Sequence, residues 1–295
     1  MSSIRFLYDT ALGRVFLRML IRPWPSRLAG AFMNTGLSRL LIPGFIRRNG
    51  IDMCDYSPRP YQTFNDFFTR ELKAGARPLA EEESALIAPC DARLSVYTIE
   101  KDSRFTVKGQ SYTVADLFGF SGEGDGPLGE DDPLADLLAI ESALLGGTAL
   151  IFRLCVDDYH RYVYFDDGAQ GENVHIPGQL HTVRPEALER VRVLARNSRE
   201  YCVLDTAHFG RCVQVEVGAM MVGRIVNHRH SCAFRRGEEK GMFRFGGSTV
   251  VLLLGPEAAA LRPDLEAIRG QNTEIRVRLG EAIGCTDLGV SPQTP

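Results

Sequence analysis

GEEKGMFRFGGSTVVLLL, residues 237–254, carries a strand-like Met242-Phe243-Arg244-Phe245, a glycine pair, Ser248-Thr249 and then an apolar run. Gly246 and Gly247 permit backbone angles that a side chain resists, so the segment reads as strand, tight turn, strand. The same texture extends outward from it. Short β-rich runs recur at 93–99, 104–108, 148–156, 161–165, 173–180, 201–205, 211–217, 220–226, 231–235 and 249–254, each bounded by turn residues. Before residue 86 the pattern is helical. The expected fold class is α+β, a helical N-terminal region followed by a mostly antiparallel β-rich body.

Within residues 4–48, Leu7, Ala11, Val15 and Leu20 recur among arginines, with a break at Pro23-Trp24-Pro25 and a second segment to Pro43-Gly44. Two readings stay open for this basic amphipathic segment, residues 1–50. It could be a surface helix pair packed on the body, or a peripheral membrane anchor, since Phe16, Trp24 and Phe32 among arginines suit an anionic interface. Residues 51–295 form the second expected unit. Within it, 61–79 reads as a short helix capped by Thr63 or Asn65 and ended at Gly75, and the Gly/Asp/Glu/Pro-rich stretch 119–137 reads as a solvated loop.

At 295 residues and 44% hydrophobic content the chain can bury a substantial core. A formal charge of −3 argues against a general nucleic-acid binder. The charge is nevertheless segregated. Residues 1–50 hold eight arginines against Asp9 alone, whereas 121–141 hold seven acids and no base. Seven cysteines form an odd set without a CxxC pair or a tight Cys/His cluster, so neither a disulfide framework nor a metal site is expected. Arg14, Arg18 and Arg22 interrupt the first apolar stretch, which speaks against a cleavable signal peptide. No apolar run reaches the roughly 20 residues that a membrane crossing takes. These features lead to the expectation of a cytoplasmic protein with free thiols.

The chemistry of 237–254 centres on Ser248, whose hydroxyl lies beside the carbonyl of Gly247. In a strained turn Ser248 Oγ can attack that carbonyl to form an ester. Elimination across its Cα–Cβ bond would release residues 1–247, and hydrolysis of the dehydroalanine would leave a pyruvoyl group heading 248–295. Taken alone, GGST is more often a plain hairpin turn.

Other segments carry a resemblance. FNDFFTRELKAGARPL at 64–79, APCDARL at 88–94, VKGQSYTVADL at 107–117, DDYHRY at 157–162, PGQLHTVRP at 177–185 and VEVGAMMVGRI at 215–225 precede RGEEKGMFRFGGST. In order and spacing they resemble the motifs of the phosphatidylserine decarboxylase family, over about residues 60–255. The resemblance implies self-cleavage between Gly247 and Ser248 and a covalent pyruvoyl cofactor derived from Ser248, with no pyridoxal phosphate and no metal. It further implies Asp91 as the acid that orients a base, and His160 as the imidazole near the serine. Each also has a plainer reading, Asp91 as a turn cap and His160 as a hydrogen-bonded core histidine. The chain departs from the family where a second imidazole usually follows three residues after the first, because that position is Val163. Residues i and i+3 of a strand face opposite sides, so His160 does not simply inherit the missing role. His181 is the candidate accessory imidazole, against the alternative of a surface-loop histidine. Ala92 stands where the family commonly has glycine.

What the resemblance implies for function is decarboxylation of phosphatidylserine to phosphatidylethanolamine and CO2 at the inner face of the cell membrane. The implied partners are a phospholipid substrate, an anionic membrane surface and the chain's own cleaved fragment, with no nucleic acid and a homodimer left open. A pyruvoyl-dependent decarboxylase of a soluble amino acid and a non-processing β-rich binding module remain as alternatives. A hydrolase using Ser248 directly lacks the GxSxG context.

Overall fold

A computed structural model of the chain describes residues 3–120, 133–220, 224–246 and 248–286. The strand Ser248–Leu254 lies inside a nine-stranded sheet, between Gly210–Gly218 on one side and Thr148–Leu154 on the other. Beyond the first neighbour come Arg199–Thr206, Gly168–Gln170 and Cys232–Phe234, and beyond the second Ala92–Thr98 and Ile275–Val277; Val174–Ile176 pairs with Arg199–Thr206. Strand pairings among the described residues are antiparallel, as expected from the sequence.

All seven residues of Ser248–Leu254 are buried, which explains an apolar run in place of alternation: both faces of the sheet are covered. Val250, Leu252 and Leu254 join one core with Leu94, Val96, Leu150 and Phe152. Val251 and Leu253 join the other with Ile151, Val213 and Val215, under the helices Val114–Phe118 and Pro133–Leu144. The second helix corrects the expected loop 119–137, since its residues 133–137 are helical and 121–132 lie outside the described residues. Ile140 and Leu144 reach the core, and that packing outweighs the polar composition before them.

A three-stranded sheet, Ile225–Asn227, Glu239–Phe243 and Arg161–Val163, covers the first face, with Tyr162, Ile225 and Phe243 in the core of Val250. Between the two sheets Lys240 Nζ donates to Glu216 Oε1 at 2.7 Å and to Asn227 Oδ1 at 2.8 Å. Both charged side chains are essentially inaccessible. All ten expected runs overlap strands, although 221–223 of the run 220–226 lie outside the described residues. The expected strand 242–245 runs earlier, as Glu239–Phe243, because Lys240 is drawn inward by Glu216.

The N-terminal region is helical: α1 Ser3–Asp9, α2 Ala11–Leu20, α3 Pro23–Met33, a 3-10 turn Gly36–Leu41 and α4 Ile42–Asn49. The break expected at Pro23-Trp24-Pro25 falls just before it, because proline lacks only an N–H that the first helical turn leaves unbonded. Pro43 likewise sits in the first turn of α4 and does not end a helix. The helix α5, Phe64–Phe68, is capped by Thr63, whose hydroxyl accepts from Asp66 N at 3.1 Å, and it stops well short of Gly75.

These helices are packed with their small residues inward. Gly13 and Leu17 of α2, Ser26 and Gly30 of α3, and Ser38 of the 3-10 turn are the buried positions. A Cβ on Gly13 would lie 2.0 Å from the Phe6 carbonyl oxygen, so α1 and α2 meet only because it is glycine. Leu12, Val15, Phe16, Met19, Trp24, Leu28, Phe32, Leu37 and Leu40 face outward, Leu28 at 63% and Leu40 at 73% exposure.

The buried ion pair makes a testable claim about how the two sheets hold together. Lys240→Met would leave Glu216 charged and unpaired in the interior and should cost about 3–5 kcal/mol, most of it recovered by adding Glu216→Leu. Urea unfolding measures both. A loss below about 1 kcal/mol for the single change, typical of an exposed pair, would contradict the placement.

Candidate active site

Ser248 heads the central strand, flanked across the sheet by Gly218 and Leu154. It is fully buried, and its Oγ has no hydrogen-bond partner among the described residues. Gly247, and with it the bond expected to be cut, lies outside the described residues. Gly246 holds φ at +136°, in the range that favours glycine. The residue before it is anchored. Phe245 N donates to Asn65 Oδ1 at 3.0 Å, and Asn65 Nδ2 donates to Asn34 Oδ1 at 2.9 Å, so the approach to the serine is tied through α5 to the end of α3. The Phe245 ring packs edge-on against Phe64 and Phe68, at centroid distances of 4.9 and 5.3 Å.

Phe68 carries this packing to His160, whose ring lies 4.0 Å away. His160 is fully buried, with Nδ1 2.9 Å from the Asp158 carbonyl oxygen. A carbonyl only accepts, so Nδ1 carries the proton and Nε2 presents a lone pair. That nitrogen has no partner among the described residues. Arg70 Nη2 donates to the same carbonyl at 3.2 Å, to Asp157 O at 3.0 Å and to Tyr56 Oη at 3.0 Å, with its guanidinium carbon 4.2 Å from the Tyr56 ring centre. Arg70 is completely buried, and its Nε and Nη1 have no partner among the described residues. Burial first, and the Arg70 charge second, push His160 down to about 3. The imidazole is therefore neutral. Asp158, on the same turn, is pushed up to about 6 by burial, although Cys155 N donates to its Oδ2 at 2.7 Å.

Asp91 was expected to orient a base, and it instead holds an arginine. Arg77 Nε and Nη2 approach its carboxylate at 3.0 and 2.8 Å, Leu279 N donates to it at 2.9 Å, and both side chains of the pair are nearly inaccessible. No histidine is among its partners in the described residues. Val163 joins the apolar cluster of Phe68 and Leu279, and its N–H donates to Pro89 O, two residues before Asp91. With valine at that position the carboxylate has no imidazole beside it among the described residues, and it pairs with Arg77, which also holds Asp55 at 2.7 Å.

His181 is buried, not a loop-surface residue. Its Nδ1 lies 3.0 Å from Tyr8 Oη and its Nε2 2.9 Å from Gln179 Oε1, so both ring nitrogens are engaged and the ring fastens α1 to the body. Its backbone does approach the serine strand's neighbour: Asn197 Nδ2 donates to both His181 O and Gly218 O. Sequence reasoning quoted the segment holding Arg70 and Arg77 without assigning either. The available signal was an arginine set directly after an aromatic cluster, in Phe67-Phe68-Thr69-Arg70.

A hydroxyl, an imidazole nitrogen and a guanidinium, all buried and incompletely bonded among the described residues, mark a candidate enzyme site. Comparison with known proteins specifies which. The family model described as phosphatidylserine decarboxylase matches residues 64–285. Phosphatidylserine decarboxylase proenzyme 2 of Clostridium acetobutylicum is 40% identical, over 97% of this chain and 92% of that protein. The phosphatidylserine decarboxylase proenzymes of Ruminiclostridium cellulolyticum and Clostridium perfringens are each 35% identical, over 95% and 96% of this chain and 90% and 93% of theirs. The chain belongs to the phosphatidylserine decarboxylase family.

The buried titratable groups set a pH dependence. His160 and His181 are held down to about 3 and about 4, so below the usual 6.5 the unfolded chain takes up protons that the native protein refuses, and stability falls with pH. Asp158, raised to about 6, has the opposite sign, retaining when folded a proton that the unfolded chain loses from about 3.8 upward. Two histidines outweigh one aspartate. The urea midpoint should therefore drop from pH 7 to pH 5, and drop less in His160→Gln. An equal drop in both would contradict a neutral, buried His160.

Proposed function

We propose that this protein is a self-processing decarboxylase that converts phosphatidylserine to phosphatidylethanolamine and CO2 with a pyruvoyl group made from Ser248. The observation that carries the proposal is the buried Ser248 hydroxyl, without a hydrogen-bond partner among the described residues, between a positive-φ glycine and the central strand. It falls inside the span matched by the family model.

In maturation, Ser248 Oγ bonds to the Gly247 carbonyl carbon as the C–N bond breaks. The neutral His160 Nε2 suits it to take the hydroxyl proton and deliver it to the departing nitrogen. Loss of the Ser248 Cα proton then expels the Gly247 carboxylate and leaves a double bond at position 248. Uptake of water and loss of ammonia leave a ketone. The site fits such a group, because the position is buried and the Ser248 oxygen has no hydrogen-bond partner among the described residues. Once formed, it supplies the electron sink for the pair that CO2 leaves behind.

The surrounding residues take supporting parts. Phe68 and Phe245 keep water from the reacting atoms, and Arg70 holds the Asp158 carbonyl that orients His160. Asp91 acts through Arg77, bracing the segment at Leu279. His181 keeps α1 seated on the body and moves no proton, since both its nitrogens are engaged.

The outward apolar side chains of α2 and α3 favour a lipid over a soluble amino acid as substrate. A monomeric water-soluble protein rarely leaves so many large apolar groups together on its surface. Arg14, Arg18 and Arg22 are exposed beside them, which suits an anionic membrane surface. No helix among the described residues is long and apolar enough to cross a membrane, so the contact proposed is peripheral.

Two measurements test these points. The purified protein should resolve by mass into fragments 1–247 and 248–295, the shorter blocked at its N-terminus, whereas Ser248→Ala should stay a single inactive chain. Cleavage at this bond in Ser248→Ala would refute the nucleophile. Co-sedimentation with phosphatidylserine-containing vesicles should weaken with salt and with Arg14, Arg18 and Arg22 changed together to Glu, each arginine contributing about 1 kcal/mol. Indifference to both would leave α2 and α3 without a membrane role.

A further inference from the structure

A cavity of about 560 Å³ opens between α3 and the strand Ile225–Asn227, with Gly218 on its wall. Its charges are unbalanced. Arg27 and Arg224 line it, and neither side chain has a hydrogen bond or ion pair among the described residues. Glu200 is the acid among the lining residues, and it is occupied: Asn227 Nδ2 donates to it at 2.9 Å, and His175 Nδ1 lies 3.6 Å away. His230, also on the wall, lies 3.2 Å from Asn173 Nδ2 and 3.8 Å from Glu172. Two guanidiniums without partners among the described residues, beside one carboxylate that is already hydrogen-bonded, make a seat for an anion.

The position of the cavity relative to Ser248 selects the anion. Glu200 pairs with Glu216, and Glu216 with Val250, so Glu200 projects from the same sheet face as Val250 and Ser248. Gly218 is the Cα partner of Ser248, which places the wall about 4.5–5.5 Å from the reacting residue. In a serine phospholipid four single bonds separate the amine nitrogen from phosphorus, a reach of roughly 5 Å. On the other side the cavity is bounded by Pro23 and Arg27 of α3, the helix whose Trp24, Leu28 and Phe32 point outward.

We propose that this cavity seats the phosphodiester of the substrate head group, with Arg27 and Arg224 as its binding residues. The proposal rests on the reading of phosphatidylserine as substrate. The phosphodiester is unchanged by decarboxylation, so holding it strengthens ground and transition states alike and is felt in KM, not in kcat. It also separates a phospholipid from free serine, which has no phosphodiester to place between the two arginines while its amine meets position 248.

The test uses the processed enzyme and a short-chain phosphatidylserine below the concentration at which it aggregates, so that membrane attachment plays no part. Arg27→Ala and Arg224→Ala should each raise KM about 10-fold or more, in line with a charge-assisted bond, with kcat changed less than twofold and chain cleavage normal. Arg224→Lys should recover part of the loss. Glycerophosphoethanolamine, the product head group without acyl chains, should inhibit competitively and lose affinity in the same variants. Unchanged KM and inhibition in both variants would overturn the seat, as would a variant that fails to cleave. Failure of the unmodified protein to cleave or decarboxylate would instead overturn the reading on which the seat rests.

Discussion

A buried hydroxyl without a hydrogen bond costs about 1–3 kcal/mol, and the Ser248 hydroxyl is held in that condition by the sheet around it. Register with Gly218 and Leu154 fixes the residue on both sides, and the apolar run behind it prevents the strand from sliding to bring the oxygen to a partner. The cap on Asn65 then fixes the approach from the other direction through Phe245 N. Packing on two faces of one strand thus holds the Ser248 hydroxyl in place directly after the glycine pair. An alanine at 248 would avoid that cost, so stability alone does not account for a serine.

The polar residues near the serine are arranged around one backbone atom. Arg70 and His160 both donate to the Asp158 carbonyl, which fixes the imidazole tautomer, and burial first, with the Arg70 charge second, keeps the ring neutral. Arg70 is tolerated inside because three oxygens and two aromatic rings surround it. Asp91, which Val163 leaves without an imidazole, pairs instead with Arg77, a guanidinium it shares with Asp55. The N-terminal helices join this arrangement through Asn34 and Asn65, so the segment with the outward apolar face is mechanically continuous with the approach to Ser248.

Much of this was legible in the sequence for stated physical reasons. The ten β runs were found because β-branched and aromatic residues cluster between turn residues, and the antiparallel body followed from their short spacing. Six short strands escaped, among them Ala85–Ile87 and Ile275–Val277, because two to four residues carry no period and pair only through tertiary contacts. In the site, Ser248 stood out through its glycine pair. Arg77 did not, because an arginine between alanine and proline has no local signal of a carboxylate fourteen residues away. The burial of His181 against Tyr8 was equally hidden, since it depends on where α1 docks. In α2 the recurrence of Val15 and Leu20 left open which way the apolar face turns, and the structure sets both outward while Gly13 and Leu17 pack inward.

The central claim is that a ketone built from Ser248 sits at the head of the shorter chain. Phenylhydrazine condenses with such a carbonyl, and mass analysis of the separated chains after treatment locates the adduct. A single adduct on the N-terminal residue of 248–295, formed together with loss of decarboxylation, is the predicted result. An enzyme that decarboxylates yet takes up no label, or carries it on 1–247, would contradict it.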